Sequence, residues 1–132
     1  MRFTGKAKLR NFLVCWLPLI LYCLAIYIQS GRPSPKSIPD VRFLDKILHF
    51  CAYGVLGILF FRAYNTLALK SDKNLLILIS IASTILYGIS DEIHQYFVPF
   101  RQADIMDVIA NSIGSICSVC FFHFWKTRQR SP

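Results

Sequence analysis

The sequence predicts an all-α membrane protein, a bundle of four transmembrane helices with both termini in the cytoplasm. The chain has 132 residues and is 55% hydrophobic, and its mean hydropathy of +0.46 is too high for an ordinary soluble domain. A spanning helix needs about 20 mostly apolar residues, so four apolar runs of about this length use most of the chain. The runs are residues 12–28, 44–61, 75–97 and 104–125.

The distribution of basic residues predicts the orientation in the membrane. The chain has a net charge of +8 and fifteen Lys and Arg residues. Ten of them lie before the first run, between the second and third, or after the fourth, where four crossings put them on one side. The positive-inside rule assigns that side to the cytoplasm, and this placement argues against a nucleic-acid partner. The ten are Arg2, Lys6, Lys8, Arg10, Arg62, Lys70, Lys73, Lys126, Arg128 and Arg130.

The chain divides into a basic cytoplasmic N-terminus (1–11), a four-helix transmembrane domain (12–125) and a basic cytoplasmic tail (126–132). The first run is uncharged for 17 residues, longer than the apolar core of about 7–15 residues in a cleaved signal peptide. We therefore interpret it as a retained signal anchor, which Pro18 is expected to kink. Segment 29–43 contains three prolines and is predicted to be an outer loop.

The second predicted helix begins near Leu44 and carries a polar stripe. Asp45, His49, Tyr53 and Gly57 recur every four residues, so they share one face of the helix. The other residues of this helix are mostly apolar and suit lipid or the bundle core. A short basic loop follows on the cytoplasmic side.

The third predicted helix is apolar at its start and polar at its end. Its last turns contain Asp91, Glu92, His94 and Gln95, and Arg101 follows in a tight outer turn around Pro99. Charged groups inside a membrane helix cost about 2.5–3.5 kcal/mol each at the bilayer centre. We therefore expect these groups to face the bundle interior, with His94 in a structural or surface role.

The fourth predicted helix starts near Asp104. Asp107, Asn111, Gly114 and Ser118 recur at helical spacing, so polar and then small residues follow one face. Small residues at this spacing let membrane helices approach closely. The pair Cys117-x-x-Cys120 has a redox spacing, but its place in a membrane helix favours two small apolar side chains.

Helical rise places the three polar sets at one depth. Asn111 lies roughly 10 Å, and His49 and Glu92 roughly 8 Å, from the outer ends of their helices at 1.5 Å per residue. Since the second and fourth helices run inward and the third runs outward, the sets are predicted to meet in a pocket in the outer half of the membrane. Intramembrane ionisable groups are functional candidates by default.

These residue types allow several kinds of chemistry. His49 beside acids is suited to general acid–base catalysis, Arg101 to holding a phosphate or carboxylate, and Asn111 to orienting a ligand. Carboxylates with a histidine could also bind a divalent metal, although no H-E-x-x-H motif is present and the metal and cofactors stay open. The predicted catalytic residues are His49, Asp91, Glu92 and Asp107. The predicted substrate-binding residues are Asp45, Tyr53, Gln95, Arg101, Asp104 and Asn111.

Three sequence blocks resemble the VanZ-like family of small integral membrane proteins. They are Asp45-Lys46-x-x-His49-Phe50-x-x-Tyr53-x-x-x-Gly57, Asp91-Glu92-x-His94-Gln95-x-Phe97-Val98-Pro99-x-Arg101, and Asp104-x-x-Asp107-x-x-x-Asn111-x-x-Gly114. The resemblance covers about residues 40–120 and implies a protein of the bacterial cytoplasmic membrane. The founding member is linked to glycopeptide (teicoplanin) resistance, which implies a cell-envelope role. Phe100 departs from the pattern, which often has glycine between the proline and the arginine.

Three functions are open from the sequence. The first is binding or modification of a lipid-linked or amphiphilic anionic headgroup at the outward pocket, with the bilayer and an envelope precursor as partners. The second is a structural or partner-binding membrane protein without chemistry, in which the polar groups only pair with each other. The third is a proton- or ion-coupled transporter, against which the inner halves of the helices offer almost no polar residues.

Overall fold

The computed structural model describes residues 5–33, 42–67 and 72–129 as a bundle of four helices. They are α1 (Gly5–Ser30), α2 (Arg42–Tyr64), α3 (Lys73–Tyr96) and α4 (Ile105–Arg128). Each contains a stretch long and apolar enough to cross a membrane. The predicted all-α fold and its four spans are therefore confirmed, whereas the cytoplasmic placement of the termini stays a prediction. Most of the predicted outer loop, residues 34–41, lies outside the described residues.

Aspartates start the third and fourth helices. The Asp72 carboxylate accepts a hydrogen bond from the Leu75 N–H at 3.0 Å, and the Asp104 carboxylate accepts one from the Met106 N–H at 2.9 Å. Each cap satisfies one of the N–H groups that a helix start leaves without a partner. These caps fix where α3 and α4 begin, and Asp104 thereby comes to lie at the mouth of the polar site.

Helix α1 departs from regular α-helical geometry one turn before Pro18. Residues Phe12–Trp16 form a π-helical turn. Proline has no N–H, so the Val14 carbonyl four residues earlier loses its usual donor. The Arg62 guanidinium donates to this carbonyl at 3.3 Å, which ties the irregular turn to the end of α2.

The distribution of polarity is the reverse of that in a soluble protein. Large apolar side chains such as Leu86 and Phe121 are exposed, whereas Thr84, Asp107 and Asn111 are buried. In water such an arrangement is unfavourable, but lipid tails solvate the apolar exterior and interior polar groups can pair across helices. The burial pattern therefore supports the membrane interpretation independently of helix length.

The α2 and α4 backbones approach closely along a seam of small residues. A Cβ at Gly54 would lie 2.5 Å from the Ser118 hydroxyl oxygen, and a Cβ at Gly57 would lie 3.0 Å from Val119. At Gly114 an added Cβ would meet the Phe50 backbone. This close packing holds the polar faces of α2 and α4 against each other at the end of the bundle that contains Asp45 and Asp107.

The turn between α3 and α4 contains a strained residue. Phe100 has a φ of +65°, the left-handed region, which costs a residue with a Cβ roughly 1–2 kcal/mol. Glycine adopts this conformation without that penalty. The position at which the sequence departs from the VanZ-like pattern is thus the one where the backbone favours glycine.

Replacing Phe100 with glycine is therefore expected to stabilise the protein by about 1 kcal/mol, because strain relief exceeds the added entropy of the unfolded chain. Unfolding in mixed detergent micelles measures the change. The matched control, Phe97→Gly, lies at a φ of −90° and is expected to destabilise. Stabilisation of both variants to the same degree would contradict an origin in the left-handed backbone.

Candidate functional site

Polar side chains from the start of α2, the end of α3 and the start of α4 meet at one end of the bundle. Their contacts join all three helices, with Lys46 bound to Asp104 and Asp107, and Tyr53 bound to Asp91. We call this set the polar cluster. It consists of Asp45, Lys46, His49, Tyr53, Asp91, Glu92, Gln95, Asp104, Asp107 and Asn111.

Lys46 is the cation at the centre of the cluster. Its ammonium group donates to Asp104 Oδ2 at 2.6 Å and to Asp107 Oδ1, and lies 3.8 Å from Asp45 Oδ2. The side chain of Asp107 is only 5% exposed, and a buried carboxylate of this kind requires a charged or hydrogen-bonding partner. Lys46 therefore joins α2 to α4 electrostatically.

His49 lies between two carboxylates and an amide. Its Nδ1 is 3.1 Å from Asn111 Oδ1, while its Nε2 is 3.9 Å from Asp45 Oδ1 and 3.7 Å from Asp107 Oδ2. An amide oxygen only accepts hydrogen bonds, so Nδ1 is the donor to Asn111. Nε2 is then left facing the two carboxylates, and these three side chains are the ones in the cluster that could share a metal ion.

Asp91 organises the part of the cluster that lies on α3. The buried Tyr53 hydroxyl donates to Asp91 Oδ2 at 2.9 Å, and Gln95 Nε2 donates to the same oxygen at 3.2 Å. The rings of His49 and Tyr53 are nearly parallel, with centroids 6.3 Å apart. Through Tyr53 the α3 carboxylate is therefore connected to the residues around His49.

Two buried polar atoms in the cluster have no protein partner. Glu92 accepts from the Asp104 N–H through Oε2 at 3.1 Å, but its Oε1 is unpaired, as is Asn111 Nδ2. Glu92 lies close enough to Asp107 and His49 for their charges to interact. Since buried polar atoms are almost always paired, these two atoms are candidates for contact with a ligand or water.

Arg101 and His94 make their contacts with α1 and the residues just after it instead of with the carboxylates. The Arg101 guanidinium donates to the carbonyls of Arg32 at 3.0 Å and Gln29 at 3.2 Å. His94 stacks on Tyr27 with ring centroids 4.4 Å apart. These contacts hold the end of α1 against the α3–α4 turn, and the structural role expected for His94 agrees with this position.

Lys46 is the main residue absent from the predicted site set. It is next to Asp45 in the sequence, yet its ammonium group contacts the Asp104 and Asp107 carboxylates at the start of α4. The signal was present in the charge count of the cluster, since five carboxyl groups at one depth require a nearby cation. A count of acidic and basic residues over the predicted membrane helices would have indicated Lys46.

An apolar groove of about 410 Å³ lies beside the cluster, between the end of α3 and the start of α4. Glu92 and Asp104 belong to its wall, so two acidic residues of the polar cluster border the groove. Its other lining residues are apolar or aromatic. They are Ile89, Ile93, Tyr96, Phe97, Ala103, Ile105 and Val108.

The ionisation of Asp104 gives a testable pH dependence. Hydrogen bonding from Lys46, and then from the Met106 N–H, lowers the pKa of the Asp104 carboxyl below its ordinary value of 3.8. A carboxyl with a lowered pKa stabilises the fold above its ordinary pKa, and this contribution disappears as the pH falls through the folded-state value. We expect wild type to exceed Asp104→Asn in melting temperature by a constant margin from pH 7 to about pH 5, and by less below about pH 4.

Asparagine at position 104 retains the helix cap, so this comparison isolates the charge of Asp104. Melting curves of both proteins in detergent across the pH range provide the measurement. A margin that shrinks between pH 7 and pH 5 would show that the Asp104 pKa is raised rather than lowered.

Comparison with known proteins assigns the chain to a family. A family profile described as VanZ/LLP1 matches residues 8–126, about nine-tenths of the chain. The chain belongs to the VanZ/LLP1 family. No match was found among curated proteins or among solved structures. The matched range includes every residue of the polar cluster, and the VanZ-like resemblance read from three sequence blocks is confirmed at the level of the family.

The net charge of the polar cluster in this VanZ/LLP1 protein limits what the cluster can bind. It contains five carboxyl groups and one ammonium group, which leaves four negative charges if every carboxyl is ionised and His49 is neutral. Such an imbalance is strongly unfavourable in a medium of low dielectric. The site therefore requires protons, a cation or a cationic group of a ligand.

Proposed function

We propose that this VanZ-like membrane protein binds the headgroup of a lipid-linked anionic amphiphile of the cell envelope at the polar cluster. The supporting observation is the apolar groove, whose wall includes Glu92 and Asp104. An acyl or prenyl chain fits the chemistry of the groove, since ligand pockets combine apolar walls with a few convergent polar groups. In this proposal the cluster faces the outer leaflet of the bacterial cytoplasmic membrane.

The unpaired atoms support a headgroup contact at this place. Glu92 Oε1 and Asn111 Nδ2 are buried without a partner, and a ligand hydroxyl or amide could pair with both. Arg101 uses two of its five N–H donors on the carbonyls of Gln29 and Arg32, and we propose that the others hold the anionic group. Arg101 thus contributes from the mouth of the site.

The same residues are arranged for proton transfer. We propose that His49 and Glu92 exchange protons with the headgroup while Asp107 and Asn111 orient His49. The 3.1 Å contact from Asn111 to His49 Nδ1 keeps Nε2 as the exchanging atom, because the hydrogen bond at one ring nitrogen sets the role of the other. Binding is the primary function in this proposal, and chemistry is secondary to it.

A groove-filling variant tests the binding of an amphiphile. Native mass spectrometry counts phosphatidylglycerol, with phosphatidylcholine as the zwitterionic reference, retained by detergent-purified protein. We expect Val108→Trp, in the groove wall, to lose at least about tenfold in apparent affinity, and the neighbouring lipid-facing Ile109→Trp to behave as wild type. Equal retention by both variants would contradict the groove as the binding site.

The envelope role is tested in cells. We propose that expression of the protein raises teicoplanin resistance, as the link of the family's founding member to that antibiotic suggests. Single neutral replacements of His49, Glu92, Arg101 and Asp107 are expected to remove the effect while the proteins still insert in the membrane. If all four variants protect cells as wild type does, the polar cluster is not the active element.

The structural alternative has support of its own. Lys46, Tyr53 and Arg101 all contact groups of the same chain, as expected if the cluster only fixes helix packing. In that case Glu92→Gln, which preserves shape and keeps the bond to the Asp104 N–H, would change neither lipid retention nor teicoplanin resistance. Loss of lipid retention with an unchanged melting temperature distinguishes binding from packing.

A further inference from the structure

Three atoms with available lone pairs face one another inside the polar cluster. His49 Nε2 lies 3.9 Å from Asp45 Oδ1 and 3.7 Å from Asp107 Oδ2, and the three residues each offer a ligand atom within 4.8 Å of the others. Both separations from His49 Nε2 exceed hydrogen-bonding distance. The geometry is that of a shared centre rather than of direct pairing.

The remaining atoms of these side chains already have partners. Asp107 Oδ1 accepts from Lys46 and Asp45 Oδ2 lies 3.8 Å from the same ammonium group, so each carboxylate directs its other oxygen to His49. His49 Nδ1 donates to Asn111 Oδ1. A hydrogen bond at the other ring nitrogen is what orients a metal-binding imidazole and fixes its tautomer.

A separate observation indicates that a cation or a proton is needed here. Glu92 is only 5% exposed, and its Oε1 has no hydrogen-bond partner, yet its carboxyl lies close enough to His49 and Asp107 for their charges to interact. A buried carboxylate oxygen beside a second buried carboxylate is unfavourable without positive charge nearby. Lys46 supplies one such charge, and its contacts lie on the opposite oxygens of Asp45 and Asp107.

We propose that His49 Nε2, Asp45 Oδ1 and Asp107 Oδ2 bind a divalent transition-metal ion such as Zn²⁺. Ligand atoms at bond lengths of 2.0–2.1 Å around tetrahedral Zn²⁺ lie about 3.3 Å apart, so the two separations from His49 Nε2 need to contract by about half an ångström. One nitrogen and two carboxylate oxygens suit Zn²⁺ or Mn²⁺. Asp45 is 53% exposed, which leaves a side from which the ion and a further ligand can enter.

The metal explains how a negatively charged cluster accommodates an anion. Three protein ligands leave a position open on Zn²⁺, and a phosphate oxygen of the headgroup occupies it. This step rests on the headgroup binding of the proposed function, since it makes the metal the bridge between the carboxylates and an anionic amphiphile. It replaces the proton exchange at His49 Nε2, because a bound metal ion occupies the lone pair of that nitrogen. The metal site itself is testable without any lipid.

Binding of Co²⁺, a visible substitute for Zn²⁺, measures the site directly. Tag-free protein in detergent is titrated with Co²⁺ alone, and the absorption is expected to saturate at one ion per chain. His49→Gln and Asp107→Asn are expected to weaken binding at least about tenfold, whereas the matched variants His123→Gln and Asp72→Asn keep the wild-type affinity. Absence of saturable absorption, or equal affinity in all four variants, overturns the metal site.

A second measurement leaves all three proposed ligands in place. The chain has three histidines, so His94→Gln/His123→Gln makes His49 the only imidazole. Pulsed electron paramagnetic resonance of Mn²⁺ bound to this variant is expected to show nitrogen coupling from one imidazole. A spectrum with water and carboxylate coupling alone overturns the assignment of His49 as a ligand.

Phosphatidylglycerol retention with and without a chelator separates this inference from the proposed function. We expect EDTA to lower retention by wild type at least about tenfold. Retention that Val108→Trp abolishes but EDTA does not change supports the proposed function and overturns the metal bridge. Saturable Co²⁺ binding with no groove-dependent retention supports the metal site and overturns the proposed function.

Discussion

Replacing Lys46 with methionine is expected to destabilise the protein by about 3 kcal/mol, near the low end of the cost of breaking a buried ion pair. Methionine keeps most of the length and flexibility of the side chain but removes the ammonium group. Asp107 then remains buried without the cation that contacts its Oδ1. Because Lys46 and Asp104 retain some exposure, water screens part of the loss and the upper end of that range is not reached.

Reversible unfolding in mixed detergent micelles measures this cost. Lys73→Met is the matched control, since Lys73 is an exposed residue at the other end of the bundle, in the first turn of α3. It is expected to change stability by less than about 0.5 kcal/mol. Equal unfolding curves for Lys46→Met and wild type would mean that the neighbouring carboxyl groups are protonated and need no cation.

A double variant tests whether the cost comes from the charge of Asp107. Asp107→Asn removes that charge. The double variant Lys46→Met/Asp107→Asn is therefore expected to lose less stability than the two single variants lose in sum. The coupling is expected to be about 1–3 kcal/mol, as found for residues in one ionic network. Additive effects would show that Lys46 stabilises the bundle by packing alone.

The parts of the fold that could be predicted are those set by the length of the apolar runs and by the rise of a helix per residue. Four apolar runs with interfacial charges gave the last three spans within about three residues of their observed ends, whereas α1 begins at Gly5, seven residues before the predicted run. The agreement arises because the bilayer sets helix length. Helical rise also gave the depth at which His49, Glu92 and Asn111 meet. Depth is a property of position along the chain, so the sequence contains it directly.

The rotation of each helix was not contained in those arguments. Whether Lys46 or Asp45 turns towards α4 depends on how close the helices approach, which Gly54 and Gly114 determine through tertiary contacts. The direction of Arg101 depends on the left-handed backbone at Phe100, and a turn of this kind follows from packing rather than from local preference. Lys46 and Arg101 are accordingly the residues whose contacts the sequence did not predict.

Replacing Gly114 with alanine is expected to destabilise the protein by about 3 kcal/mol, the upper end of the cost of overpacking. In an exposed helix the same change is favourable by about 1 kcal/mol, so the expected sign is reversed by tertiary contact. The added Cβ meets the carbonyl oxygen of Phe50 and lies 2.9 Å from its carbonyl carbon. Backbone atoms cannot rotate away, so α2 and α4 must separate.

The chain offers graded controls for this prediction. A Cβ at Gly54 would meet the Ser118 hydroxyl at 2.5 Å, and a hydroxyl can change rotamer, so Gly54→Ala is expected to cost less, about 1 kcal/mol. A Cβ at Gly5, the first residue of α1, would have nothing within 4 Å, so Gly5→Ala is expected not to destabilise the protein. Unfolding in mixed micelles should therefore show the largest loss of stability for Gly114→Ala, a smaller loss for Gly54→Ala and the least for Gly5→Ala. A different order would contradict close backbone packing along the seam.

Separation of α2 from α4 also reaches the polar cluster, because His49 and Lys46 lie on one helix and Asn111 and Asp107 on the other. Gly114→Ala is therefore expected to weaken Co²⁺ binding as well as stability, whereas Phe100→Gly, which stabilises the turn without touching the seam, leaves Co²⁺ affinity unchanged. Hydrogen bonds and metal ligands tolerate displacements of only a few tenths of an ångström. Gly114, which contacts no metal ligand, thus sets the geometry of the site. If Gly114→Ala lost stability but kept the wild-type Co²⁺ affinity, the polar cluster would adapt independently of the seam between α2 and α4.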